Sequence, residues 1–156
     1  MAVWISGGGI VSAGDVADNA ITQPCLAPTT ATNAQCVVAT TSTPTTTSTS
    51  YVLLSDMTIT MSVRADSKVG IQGQCVLYNA GNFYFGIMAY FEGNPVAECY
   101  VDSVAGIKKT CSVNYIGTPA SAGTKTYAIY WKCSSGTNYA YLLNRQISVV
   151  EYCSQT

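Results

Sequence analysis

From Tyr51 onward, apolar and polar positions alternate with a period of two. Met57, Ile59, Met61 and Val63 interleave with Thr58, Thr60 and Ser62, so one set turns to a core and the other to solvent, as in a strand. Val69, Ile71, Cys75 and Leu77 share a face in the next run, and Phe83, Phe85, Ile87, Ala89 and Phe91 in the third. Glu92-Gly93-Asn94-Pro95 is a turn by composition. Short strands are expected over 96–101 and 107–116. Then Tyr127, Ile129, Trp131 and Cys133 alternate with Thr126, Ala128, Tyr130 and Lys132. Ser134-Ser135-Gly136-Thr137 turns the chain into 139–143, and a last strand points Ile147 and Val149 inward. No segment holds a helical period for three turns. The pattern predicts an all-β fold of about eight antiparallel strands, a sandwich or jelly roll.

Residues 1–50 lack this regularity and are expected to be an extended N-terminal arm and linker, with 51–156 as the jelly-roll domain. Two apolar clusters, Val3-Trp4-Ile5 and Ile10-Val11, flank Gly7-Gly8-Gly9. Trp4, Ile5, Ile10 and Val11 are the attachment candidates, docking on a neighbouring subunit or adding a strand to it. Residues 40–50 are almost all Thr and Ser, which reads as a flexible linker or an extended sheet-edge segment.

Composition narrows the classes. A chain of 156 residues holds one domain and an arm. Hydrophobic residues make up 48% but charged ones only 10%, against about 25% in average soluble domains. Charge keeps free monomers apart, so a chain this poor in it suits assembly with copies of itself. The seven Lys and Arg are scattered, with only Lys108 and Lys109 adjacent, so no basic stripe exists to bind nucleic acid. No apolar run is long enough for a membrane span. Residues 1–14 lack a basic start and do not read as a secretory signal.

The seven cysteines point the other way, toward an oxidising compartment. With no histidine and no Cys-x-x-Cys, the usual zinc spacings are missing and disulfides are expected instead. Candidate pairs are Cys99 with Cys111 across a hairpin at 104–106, Cys75 with Cys133 between two sheets, and Cys25 with Cys36 in the arm; the connectivity stays open. A virus of a hot-environment host, where intracellular disulfides persist, would reconcile the cysteines with the missing signal.

Catalytic chemistry finds little support. The absence of histidine removes the commonest general base, and no nucleophile elbow, P-loop or dinucleotide fingerprint occurs. No carboxylate pair has a spacing that singles it out. A non-enzyme without a cofactor or metal is expected. Of the eleven tyrosines, Tyr127 reads as core beside Trp131, whereas Tyr130, Tyr139 and Tyr141 are candidates for a contact surface. Arg145 and Glu151 read as surface charges, or as a pair across an interface between copies.

Two stretches, Gly117–Thr137 with its Gly123-Thr-Lys-Thr-Tyr127, and Asn144-Arg145-Gln-Ile-Ser-Val-Val-Glu151, resemble phage and virus jelly-roll modules. Residues 49–60 look like the first strand of such modules, and Gly14–Thr22 is similar to repeats of phage fibre shafts. Lys125 stands where those modules often have His. The resemblance covers roughly residues 49–153 and implies a fold akin to tumour-necrosis-factor and complement-C1q jelly rolls, commonly homotrimeric. It further implies a structural virion protein of the capsid-decoration, head-fibre or tail-fibre kind, located on the virion surface or extracellular. The partners it implies are further copies, a major capsid protein or other virion component, and a host-surface receptor. A receptor-binding or glycan-binding tip, and an extracellular filament subunit that donates its Thr-rich strand, are the competing expectations.

Overall fold

The computed structural model describes residues 2–5, 9–12, 31–39, 43–79, 81–102, 104–135, 137–140 and 144–152; for 2–5, 9–12, 31, 32, 79 and 138–140 it describes the backbone alone. The described residues form twelve strands: β1 (Ala2–Ile5), β2 (Gly9–Ser12), β3 (Ala31–Val38), β4 (Thr45–Thr46), β5 (Val52–Val63), β6 (Lys68–Asn79), β7 (Tyr84–Phe91), β8 (Asn94–Asp102), β9 (Lys108–Gly117), β10 (Gly123–Cys133), β11 (Asn138–Ala140) and β12 (Gln146–Tyr152).

One sheet runs β5-β10-β7-β8, and the other runs β3-β12-β6 with β9 on the far side of β6. β12 follows Lys68–Gln74 of β6, and β11 takes over along Leu77–Asn79, with β4 beside it. Every pairing is antiparallel. Within the sandwich β3 pairs with β12, β5 with β10, β6 with β9 and β7 with β8. This nested order, first with last and middle with middle, is what a doubled-back chain gives when it is wrapped into two sheets. The molecule is a jelly roll.

The inward phase of each strand supplies the core. Tyr127, Ile129 and Trp131 of β10 meet Phe85, Ile87 and Ala89 of β7 and, from the opposite sheet, Val69, Ile71, Leu77, Ile147 and Val149. Each fully buried aliphatic or aromatic side chain contributes about 1.5–3 kcal/mol by leaving water. Phe91 stands edge-on to both Tyr127 and Tyr115, ring centroids 5.3 and 5.4 Å apart, an arrangement the ring quadrupoles favour.

Several expectations are revised. The turn after β7 has two residues rather than four: Glu92 (φ 50°) and Gly93 (φ 82°) are both left-handed, while Asn94 already pairs with Phe91. That is the type I′ geometry whose twist matches a tight hairpin. Pro95 lies inside β8, tolerated because β8 is an outer strand. The turn at Val104–Gly106 closes no hairpin, because β8 and β9 belong to different sheets. The sandwich also reaches back before Tyr51: β3 borders β12, and Thr45-Thr46 of the Thr-rich stretch pairs with β11. β3 escapes the pattern because an outer strand, half in solvent, needs little alternation.

β5 carries a large irregularity. Ala128 pairs with Thr58 but Tyr130 with Leu53, so Leu54–Met57 stand opposite Ile129 alone. Leu54 and Met57 both turn inward and Asp56 takes a φ of 61°, which re-aims a side chain as bulges do. Asp56 Oδ2 lies 3.7 Å from Arg145 Nη2.

Arg145 and Glu151 are therefore not surface charges awaiting a subunit interface. Both are buried within one chain, on the inward phase of the β12 segment beside Ile147 and Val149. Glu151 accepts a hydrogen bond from the Arg64 backbone N–H at 2.7 Å and ties down the β5–β6 turn. Among the described residues no hydrogen bond reaches the three guanidinium nitrogens of Arg145, and burial holds its pKa below the usual value although Asp56 acts against that shift.

Candidate interaction surface

Because alternation sends Phe85, Ile87, Ala89 and Phe91 inward, it sends Tyr84, Gly86, Met88 and Tyr90 to the outer face of the four-stranded sheet. The neighbouring strands add Glu98 and Tyr100 from β8, and Tyr130 and Lys132 from β10. Their registers align: Met88 is flanked by Glu98 and Tyr130, and Gly86 by Tyr100 and Lys132. Tyr51, just before β5, joins from the side.

Two clusters result. Tyr90 and Tyr130 stack with centroids 4.0 Å apart and planes 30° from parallel. Beside them, Lys132 Nζ sits between two rings, 4.4 Å from the centroid of Tyr51 and 4.8 Å from that of Tyr100, a cation–π arrangement. The same ammonium lies 3.8 Å from Glu98 Oε1, to which the Tyr51 hydroxyl also donates. Gly86 makes room for this. A Cβ there would stand 3.0 Å from both the Cys99 carbonyl oxygen and Tyr100 Cδ1, so the tyrosine ring lies over bare backbone.

The electrostatics follow from these contacts. Burial alone would raise Glu98, but hydrogen bonds from Tyr100 and Tyr51 and the charge of Lys132 outweigh it and hold the carboxyl below its usual range. Tyr51 is pushed far above the ordinary phenol value, first by burial and then by its bond to Glu98. The hydroxyl thus stays a donor and the carboxylate an acceptor at any physiological pH. Tyr84 (59%) and Tyr100 (51%) leave broad ring area in solvent.

Of the predicted contact residues, Tyr130 belongs to this face. Tyr139 lies on β11 of the other sheet, and Tyr141 falls outside the described residues. Tyr51, Tyr84, Tyr90, Tyr100, Glu98 and Lys132 were not among them, although the outward phase of the strands read for their core residues names three, Tyr84, Tyr90 and Lys132. Trp4, Ile5, Ile10 and Val11 lie in a β1–β2 hairpin in which Trp4 pairs with Ile10 and Val3 with Val11. Among the described residues this hairpin forms a sheet of its own.

Cys36, Cys75, Cys99 and Cys111 carry free thiols; Cys25 and Cys153 lie outside the described residues. Cys75 stands opposite Cys111 on β9, while the thiol of Cys133 donates to the Ser135 carbonyl. No group of three or more His, Cys, Asp or Glu able to hold a metal occurs among the described residues, and no helix among them is long and apolar enough to cross a membrane.

No family model matches the chain, and no curated protein does. Solved structures resemble it at low identity. Eiger TNF from S. frugiperda matches at 11% identity with a TM-score of 0.49, over 78% of this chain and 92% of that one. The VP2 subviral particle of infectious bursal disease virus matches at 13% with a TM-score of 0.45, over 78% of this chain and 33% of that one. The Gx strain of the same virus matches at 13% with a TM-score of 0.43, over 77% of this chain and 36% of that one. The chain thus spans about a third of those viral chains, and the likeness is one of fold alone.

Proposed function

We propose that this chain is a structural subunit on the outside of a virus particle, a jelly roll that forms a homotrimer and attaches through its N-terminal arm. The observation that carries this reading is the outer face of the four-stranded sheet. It is rich in tyrosine and poor in charge, its Lys132 and Glu98 neutralise each other, and that is the make-up of an interface core. The stretches that resemble virion modules include β10 and β12, strands interior to the two sheets. The β1–β2 hairpin supports the arm: a two-stranded ribbon is marginal in water by itself and gains from burial against another surface.

Mass photometry of the full chain without reductant tests the reading. A discrete trimer is expected, and a stable monomer at micromolar concentration overturns it. Deleting residues 1–24 is expected to leave a trimer that no longer binds particles; retained binding overturns the arm's role.

A receptor-binding tip has one observation in its favour. Exposed ring faces alternate with the Tyr51, Tyr100 and Glu98 oxygens, as stacking on a sugar and accepting its hydroxyls require. A glycan-array signal from the full chain would favour that reading over assembly. A donated Thr-rich strand is less favoured, because Thr45 and Thr46 already pair with the chain's own β11.

A further inference from the structure

Three cysteines converge inside the sandwich, away from the tyrosine face. Cys75 on β6 and Cys111 on β9 are direct cross-strand neighbours, and both are fully buried. Cys99 arrives from β8, the outer strand of the opposite sheet; it is half-buried and packs against the core. The Cys99 thiol neighbours that of Cys111 from across the sandwich, where it adds to the upward shift that burial gives Cys111, and β8 and β9 pack against each other there. Cys111 therefore has two sulfur neighbours and can bond only one. The partner within its own sheet is sealed from solvent, whereas the partner across the sandwich is not.

We propose that this cluster is a redox-modified site, at which a low-molecular-weight disulfide converts Cys99 and Cys111 into a bond tying the two sheets together and leaves Cys75 as a thiol. The reaction begins at Cys99, the one member that a reagent can approach. Its thiolate attacks one sulfur of oxidised glutathione, forming a mixed disulfide, and the released glutathione thiolate takes up a proton. The Cys111 thiolate then attacks the Cys99 sulfur, closing the protein disulfide and expelling the second glutathione, which takes up the other proton. Two thiol protons and two electrons pass from the protein to the glutathione pair.

The second step is slow by construction. Burial pushes the Cys75 thiol up to about 12 and that of Cys111 higher still, so the attacking thiolate is scarce at neutral pH. Well below such a value its fraction grows roughly tenfold per pH unit, and closure is expected to accelerate accordingly between pH 7 and 9. The bond adds a covalent tie between two sheets that pack on each other here, and Tm is expected to rise by roughly 5 °C or more.

The full chain, purified reduced, is incubated with oxidised glutathione, blocked with N-ethylmaleimide and digested with trypsin and a Glu-specific protease. Cleavage after Glu98, Lys108 and Lys109 separates the three cysteines, so the linked pair is read by mass. The expected product links Cys99 to Cys111, leaves Cys75 unoxidised, and has a raised Tm that dithiothreitol reverses. Cys99→Ser abolishes both link and shift, while Cys75→Ser keeps both; Cys99→Ala replaces the first variant if serine weakens the fold. A Cys75–Cys111 link, or no link within this trio, overturns the proposal.

Discussion

Across their middles, the outer faces of the two sheets have the same backbone and nearly opposite chemistry. Across the middle of the six-stranded sheet run Gln72 beside Asn114 and Ser148, and Gln74 beside Ser112 and Gln146. Short amides and hydroxyls there meet water and one another, as where Gln146 Nε2 donates to Gln74 Oε1. The four-stranded sheet presents stacked tyrosines and a lysine held between rings instead. The inward phases are alike in kind, mostly Val, Ile, Leu, Met, Cys and aromatic residues, with Arg145 and Glu151 the charged exceptions at the ends of the β12 segment. Burial dictates the inward set and so specifies the fold; the outward set is free of that demand, and its departure from small polar residues calls for another cause. Assembly supplies one.

The largest expected effect comes from removing the stacked pair. Central aromatic residues of an interface are worth about 2 kcal/mol each, roughly thirtyfold in affinity. Tyr90→Ser with Tyr130→Ser should convert the trimer to monomer at concentrations where the parent stays assembled, as measured by mass photometry. Gln72→Ser with Gln74→Ser should change association by less than about twofold. Equal losses from both faces would erase the distinction between them.

A matched pair of glycines sharpens it at smaller cost. Each lies on an outward phase beneath a tyrosine ring. At Gly86 an added Cβ meets a backbone oxygen at 3.0 Å as well as the Tyr100 ring, so the strand itself must give way. At Gly70 the nearest atom is Tyr152 Cε2 at 3.2 Å, on a side chain at the sheet's end that can swing aside. Gly86→Ala is expected to cost about 1 kcal/mol, a Tm lower by roughly 3–4 °C, and to lift Tyr100 off Lys132. Gly70→Ala should leave Tm within about 1 °C, because the lost flexibility of the unfolded chain offsets a mild clash. Calorimetry of both variants decides.

These contrasts show what the sequence exposes and what it hides. Met57 to Val63 and Tyr127 to Cys133 are legible because each residue faces either core or water, and a period of two follows. Leu54 and Met57 break that rhythm, since the bulge turns both inward, and no local signal marks it. Arg145 is harder still: charge argues for the surface, and only its even spacing from Ile147 and Val149 hints that it points inward. Glu151 follows the same phase and is buried for the same reason. The tyrosine face was half legible. Alternation places Tyr84, Met88 and Tyr90 together on one strand, but that Tyr51 and Lys132 meet Glu98 depends on strand order, which alternation does not encode. The Cys75–Cys111 register is non-local in the same way.

The smallest expected effect is a titration confined to one face. Glu98 is held below its usual pKa by Tyr100, Tyr51 and Lys132 against the opposing pull of burial. A depressed carboxyl contributes stability that is complete above its unfolded value, about 4.3, and disappears as pH falls through the folded value. The rings of Tyr51 and Tyr100 should therefore loosen below about pH 4, seen as a change in near-ultraviolet circular dichroism ahead of global unfolding. Because the cluster is partly exposed and screened, the accompanying change in Tm is only about 1–3 °C. Glu98→Gln should remove this acid step, since the amide carries no charge to lose. The strip of Gln72, Gln74, Ser112, Asn114, Gln146 and Ser148 has no ionisable group and cannot produce such a step. Should the step persist in Glu98→Gln, another acidic group drives it, and the difference between the faces lies in ring area rather than in the buttressed charge.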